Sequence, residues 1–183
     1  MSKALVTLAD GFEDIEAVSI IDVLRRGGVE VVTASLGEGT SVRAAHGITM
    51  EADARLADVL ENEYDAIILP GGGEGTENLM ACEELHERLR KQKADGRYVC
   101  AICAAPTVLD AAGLIGEENV TCYPSCASQM GTRVEDVPVV ADGLLITGQG
   151  PGSAALFSLV VLAHLEGDRV AHGVANGMLV DFA

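Results

Sequence analysis

The apolar positions of this chain change their period several times, and each change marks an element. Lys3 to Ala9 is almost continuously apolar, the pattern of a parallel strand covered on both faces. Asp10-Gly11 makes a turn. From Phe12 to Arg26 the apolar residues Ile15, Val18, Ile21 and Leu24 recur at helical spacing, and Gly27-Gly28 close the segment. Val29 to Ser35 reads as a second strand. Leu36 to Asp53 is turn-rich, with Gly37, Gly39 and Gly47, and predicts a hairpin. Ala66 to Leu69 is another buried strand, ending in Pro70-Gly71-Gly72-Gly73. Cys82 to Ala94 predicts a charged surface helix. Tyr98 to Cys103 is an apolar strand that breaks into a helix at Ala104-Ala105-Pro106.

Val120 to Cys122 and Leu144 to Thr147 are further strand candidates. Ser153 to Leu165 reads as an apolar helix capped by Ser153, and the tail from Arg169 favours helix over strand. Strands alternating with helices define an α/β fold, a mostly parallel sheet covered on both faces. No repeat, linker or low-complexity segment divides the chain, so a single domain over 1–183 is expected.

Composition sharpens this picture. Hydrophobic residues make up 49% of the chain but aromatics only 3%, so the core must be aliphatic. Twelve Lys and Arg stand against 28 Asp and Glu, a formal net charge of -16. Such a surface repels phosphate backbones and anionic lipid, which argues against nucleic-acid and membrane partners. The first apolar run is too short for a secretory signal, and no stretch approaches the roughly 18 apolar residues of a membrane span. The five cysteines, Cys82, Cys100, Cys103, Cys122 and Cys126, are an odd number, as expected for reduced thiols in the cytoplasm.

Ligands of open α/β sheets gather at the carboxyl ends of strands, and three such ends carry chemistry here. Cys103 lies where a strand becomes a helix, with small residues on both sides. Helix-start amides favour an anion, so this position is expected to lower the thiol's pKa and make it a nucleophile. The second end is Asp10-Gly11-Phe12-Glu13-Asp14-Ile15-Glu16. Glu13 and Asp14 are accounted for by a helix dipole, but Glu16 falls near the buried face, where a carboxylate needs a partner. The third is Gly71-Gly72-Gly73. It is a flexible turn, or bare backbone that can approach a ligand and donate N–H groups to an oxyanion. It lacks the spacing of dinucleotide and phosphate loops.

Cys100-x-x-Cys103 and Cys122-x-x-x-Cys126 approach zinc-site spacing. Cys100, however, lies within an apolar strand, where residues three apart face opposite sides, so no metal is expected there. Cys82, Cys100 and Cys122 read as small buried hydrophobes. His86 and His172 read as surface residues, and His164 as a helix-terminal histidine.

Five segments in order carry a resemblance. They are Lys3-Ala4-Leu5-Val6 with Asp10 to Glu16; Asp22-Val23-Leu24-Arg25-Arg26-Gly27; Leu69-Pro70-Gly71-Gly72; Ala101 to Thr107; and Thr147 to Gly152. Over essentially the whole length the chain resembles the DJ-one/ThiJ/PfpI superfamily, most of all its small bacterial ThiJ-type members. The resemblance implies a flavodoxin-like three-layer sandwich with a small β-hairpin, and a homodimer. It implies a Cys103 thiolate, a protonated Glu16 that relays protons, and an oxyanion pocket at Gly71, Gly72 and Ala104. It further implies a cofactor-free glyoxalase or deglycase acting on reactive aldehydes such as methylglyoxal, or on glycated proteins. The alternative it implies is a redox-sensing chaperone whose Cys103 is oxidised to sulfinate. Two departures stand out. Tyr123 occupies a position where many members have histidine, and His46 one where an arginine lies near the pocket. Ala104 replaces the histidine of the protease branch, which argues against peptidase activity.

Overall fold

A computed structural model describes residues 1–182. The central sheet is assembled from Lys3–Leu8 (β1), Glu30–Ser35 (β2), Ala54–Arg55 (β5), Ala66–Leu69 (β6), Tyr98–Ile102 (β7), Val139–Asp142 (β8) and Leu145–Gly148 (β9), in the order β5-β2-β1-β6-β7-β9-β8. Every neighbouring pair is parallel except the edge pair β8–β9. Ser41–Arg43 (β3) and Thr49–Glu51 (β4) form the separate hairpin that the Leu36–Asp53 pattern predicts.

Helices cover both faces: Asp14–Arg26 (α1), Leu56–Val59 (α2), Gly73–Met80 (α3), Glu83–Ala94 (α4), Pro106–Ala111 (α5), Ala154–Glu166 (α6) and Asp168–Met178 (α7). The continuous apolar runs of the strands are explained by alternation into two buried layers. Ala4, Val6 and Leu8 of β1, Ile68 of β6 and Cys100 and Ile102 of β7 pack toward α1 and α6. Leu5, Ile67, Leu69, Val99 and Ala101 point into the opposite layer with Leu79, Leu85, Leu89 and Val108. The result is the three-layer α/β sandwich expected.

Several local expectations are corrected. In α1, Ile15 and Val18 are 57% and 48% exposed, whereas Glu16, Ala17, Ile20, Val23 and Leu24 are buried. The helix is turned so that a carboxylate, not its first two periodic apolar residues, meets the sheet. Val120 to Cys122 forms no strand; it is held by an isolated bridge from Val120 to Val134 and by the Thr121 N–H donating to Thr147 Oγ1. Helix α4 is half-buried rather than superficial, and His86 lies inside it at 6% exposure. Ser153 precedes α6 as expected, but its hydroxyl bonds Gly150 instead of capping that helix. Helix α3 falls within a segment read only as a glycine turn. Its Gly75 is required, since a Cβ there would lie 2.8 Å from the Phe12 backbone nitrogen.

Candidate active site

Strands β1, β6 and β7 lie side by side, so the turns after them converge at one end of the sheet. Cys103 follows the last residue of β7 and has φ 66°, left-handed backbone that a non-glycine residue adopts at a cost of roughly 1–3 kcal/mol. Two ladder-like bonds hold it there. Its N–H donates to the Gly148 carbonyl at 2.9 Å, and its carbonyl accepts the Tyr123 N–H at 2.7 Å. The left-handed residue ends the strand's alternation, and Cys103 lies in the same buried layer as Cys100. The expectation of opposite faces is therefore corrected. Both thiols are free.

Glu16 is fully buried one turn into α1. Its Oε2 accepts the Gly71 N–H at 2.8 Å, and its backbone N–H donates to Glu13 Oε2 at 2.8 Å. Oε1 is buried without a hydrogen-bond partner, and the Cys103 thiol is close enough for each group to shift the other's protonation. Burial raises the Glu16 carboxyl to about 7, against the Gly71 N–H and the thiol, which favour its charged form. Burial also pushes the Cys103 thiol up to about 12, with the Glu16 carboxylate adding to the effect. The Gly72 and Ala104 backbone N–H groups, directed at the sulfur, oppose it. The strand-to-helix break alone thus does not lower the thiol's pKa as the sequence predicts. Helix α5 begins three residues later at Pro106, which has no N–H to offer.

The glycine turn approaches this pair as bare backbone. A Cβ on Gly71 would lie 2.6 Å from the Cys103 Cβ and 2.8 Å from Glu16 Oε2. Gly72 has φ 95°, and a Cβ there would come within 2.2 Å of the Gly11 carbonyl oxygen. The Gly71 amide is committed to Glu16, so of the two glycines only Gly72 offers its N–H to the sulfur.

The remaining candidates fall around this centre. Tyr123 is tied to Cys103 through its backbone, while its ring packs against Gly150 and is 44% exposed. It borders a cavity of about 670 Å³ with Gln149, Gly150 and Leu156. His46, on the β3–β4 turn, reaches the start of α1 rather than the sulfur. Its Nδ1 lies 3.0 Å from Asp14 Oδ2 and 4.0 Å from Glu13 Oε1. A helix dipole accounts for Glu13 and Asp14 in the sequence, yet in the fold both are buried at 7% exposure. Glu13 is the N-cap of α1, and its side chain accepts the Glu16 backbone N–H at 2.8 Å. The Glu13-x-x-Glu16 spacing, an N-cap acceptor three residues before its donor, was the available signal.

A thiol on a strained strand-to-helix elbow, with a buried acid and paired amides, defines the class: an α/β protein with a nucleophile elbow. The chain belongs to the DJ-1/PfpI family, whose model matches residues 2–164. It is similar to Protein dj-1beta of Drosophila melanogaster, 39% identical over 186 residues that span all of both chains. It is 40% identical to the glutathione-independent glyoxalase DJR-1.2 of Caenorhabditis elegans over 170 residues, 90% of this chain and 89% of the relative. Protein DJ-1 homolog B of Arabidopsis thaliana, 39% identical over 97% of this chain, is longer, and the match spans 41% of it. Among solved structures, oxidized Toxoplasma gondii DJ-1 superposes with a TM-score of 0.96 at 36% identity, covering all of both chains. No helix among the described residues is long and apolar enough to cross a membrane.

Proposed function

We propose that this protein is a cysteine-dependent, cofactor-free enzyme that converts methylglyoxal and glyoxal, or their adducts on proteins, to hydroxy acids. The observation that carries this reading is the left-handed Cys103 with the Glu16 carboxyl beside it and the Gly72 and Ala104 N–H groups directed at its sulfur. A relative at 40% identity is named a glutathione-independent glyoxalase, which supports an aldehyde substrate. The thiolate adds to the aldehyde carbon, and the resulting oxyanion is held by the Gly72 and Ala104 amides and takes the proton of Glu16. Glu16, now a carboxylate, removes the proton from that carbon and returns it to the neighbouring one, leaving a thioester. Water cleaves the thioester, releasing lactate from methylglyoxal and restoring the thiol. On a glycated protein the same attack frees the amine.

The proton of Glu16 matters before the first step as well. When the carboxyl is neutral, the charge that opposes a Cys103 thiolate is absent and an O–H can donate to the sulfur. The odd cysteine count fits a reducing cytoplasm, and the exposed Ile15 and Val18 of α1, with Ile48 of the hairpin, fit a homodimer. Lactate release from methylglyoxal tests the reading: it should need both Cys103 and Glu16. Turnover that survives Cys103→Ser together with Glu16→Gln overturns it.

A redox-sensing chaperone is the second reading, favoured by the same amides and carboxyl, which suit the oxygens of a sulfinate. Mild peroxide followed by mass spectrometry distinguishes the two. Selective gain of two oxygens at Cys103, with protection of client proteins and no lactate, supports the sensor.

A further inference from the structure

We propose that Glu13, Asp14 and His46 form a binding site for a divalent transition-metal ion of the zinc class, on the rim of the Cys103 site and built from none of the cysteines. One ligand atom from each residue can be chosen so that all three lie within 4.8 Å of one another. His46 Nδ1 is 3.0 Å from Asp14 Oδ2 and 4.0 Å from Glu13 Oε1. Donors held about 2.1 Å from a tetrahedral ion stand roughly 3.4 Å apart, so these separations bracket what one ion requires. Imidazole beside two carboxylates selects zinc, cobalt or nickel over calcium and magnesium, which prefer oxygen alone.

Two independent features point to a ligand here. The Asp14 side chain is about nine-tenths buried, and its second oxygen, Oδ1, has no hydrogen-bond partner. In addition, two adjacent buried carboxylates have no Lys or Arg within salt-bridge distance among the described residues; His46 is their one cationic candidate. A divalent ion between two carboxylates brings more positive charge to them than one imidazolium does. The ligands are held in place from behind. Glu13 Oε2 accepts the Glu16 N–H at 2.8 Å, the Glu13 N–H donates to the Gly71 carbonyl at 2.9 Å, and the His46 N–H donates to Asp14 Oδ2 at 3.1 Å. The His46 side chain is 74% exposed, which gives an entry path and leaves a coordination position open to water.

The test is titration of the full chain with Co2+ at physiological ionic strength, followed by visible absorption and calorimetry. One Co2+ per chain is expected, with tetrahedral d–d bands and no thiolate charge-transfer band. His46→Ala removes an exposed ring and leaves the fold intact, and it should weaken binding more than about tenfold, since losing even a supporting group does as much. Glu13→Gln and Asp14→Asn should do likewise, whereas Cys103→Ser should bind as the parent does. A thiolate band, binding unchanged by His46→Ala, or binding that disappears at about 0.15 M salt as diffuse attraction to an acidic surface would, overturns the proposal. Because none of these readouts involves turnover, they stand or fall separately from the glyoxalase reading.

Discussion

The middle and the end of β7 carry one cysteine each, and the two thiols show what a site needs beyond a buried sulfur. Cys100 is completely buried in regular strand geometry, opposite Ile68 on one side and Ile146 on the other. Burial alone pushes its thiol far up, and nothing acts against it. Cys103, three residues on, is nearly as buried, yet left-handed backbone swings it to the strand end, where two amides and a titratable carboxyl reach the sulfur. Burial raises both thiols. Only the second has neighbours that can reverse the effect when a proton moves.

Replacement of the two cysteines should separate them most sharply. Cys103→Ser is expected to lower lactate formation from methylglyoxal at least about 1,000-fold, the scale of a lost nucleophile. Cys100→Ala should leave kcat/KM within about threefold while costing roughly 1–2 kcal/mol in urea unfolding, as a small cavity in a packed layer does. Equal losses of turnover would erase the distinction.

Glu16→Gln comes next, because glutamine retains an acceptor for the Gly71 N–H but cannot relay a proton. Turnover should fall roughly 100- to 10,000-fold. Stability gives a second readout with a definite sign. The folded carboxyl titrates near 7 rather than 4.5, so the native state binds the extra proton between those values. Its contribution, roughly 3 kcal/mol from the size of the shift, is fully present below pH 4.5 and lost as pH rises through 7. Unfolding free energies of parent and Glu16→Gln across that window should converge toward acid in the parent's favour and separate toward pH 8 in the variant's. A parallel pair of curves would place the Glu16 titration elsewhere.

How much of this could be read from the chain follows the physics of each part. Strand runs such as Ala66–Leu69 were legible because both faces are buried, and the hairpin because its turns are glycine-rich. Helix α3 was not, since Gly73 and Gly75 look like breakers until the Phe12 backbone is packed against Gly75. The face of α1 was misassigned because periodicity counts apolar residues and ignores a buried acid, and Glu16 takes the inward position that Ile15 and Val18 seemed to claim. Cys103, Glu16 and the glycine turn could be placed together from strand ends alone. The left-handed φ of Cys103 could not, nor the approach of His46, which a hairpin brings back across 32 positions to Asp14.

Adjacent glycines allow a finer comparison. Gly71→Ala would drive a methyl into the Cys103 Cβ and Glu16 Oε2, so loss of most activity and a cost of about 2–3 kcal/mol are expected. Gly73, two residues on at the first position of α3, has open space around its would-be Cβ. Gly73→Ala should leave turnover unchanged and add roughly 0.4–1 kcal/mol to stability by restricting the unfolded chain. Melting curves with activity assays check both, and a harmless Gly71→Ala would show that the turn does not press on the sulfur.

A small effect is expected at Tyr123, and it bears on whether cysteine and glutamate act alone. The link from Tyr123 to Cys103 is its backbone N–H, at 2.7 Å from the Cys103 carbonyl, and any residue except proline can make it. The ring instead lies along Gly150, where a Cβ would be 3.2 Å from its Cδ2. Tyrosine is also a poor proton acceptor near neutral pH, so the side chain is not suited to take the thiol's proton. Tyr123→His should therefore change kcat/KM by no more than about threefold, the scale of a half-exposed substitution. A gain of tenfold or more, appearing only above the ordinary histidine pKa, would mean that an imidazole at this position reaches the thiol and that a third catalytic group completes the site.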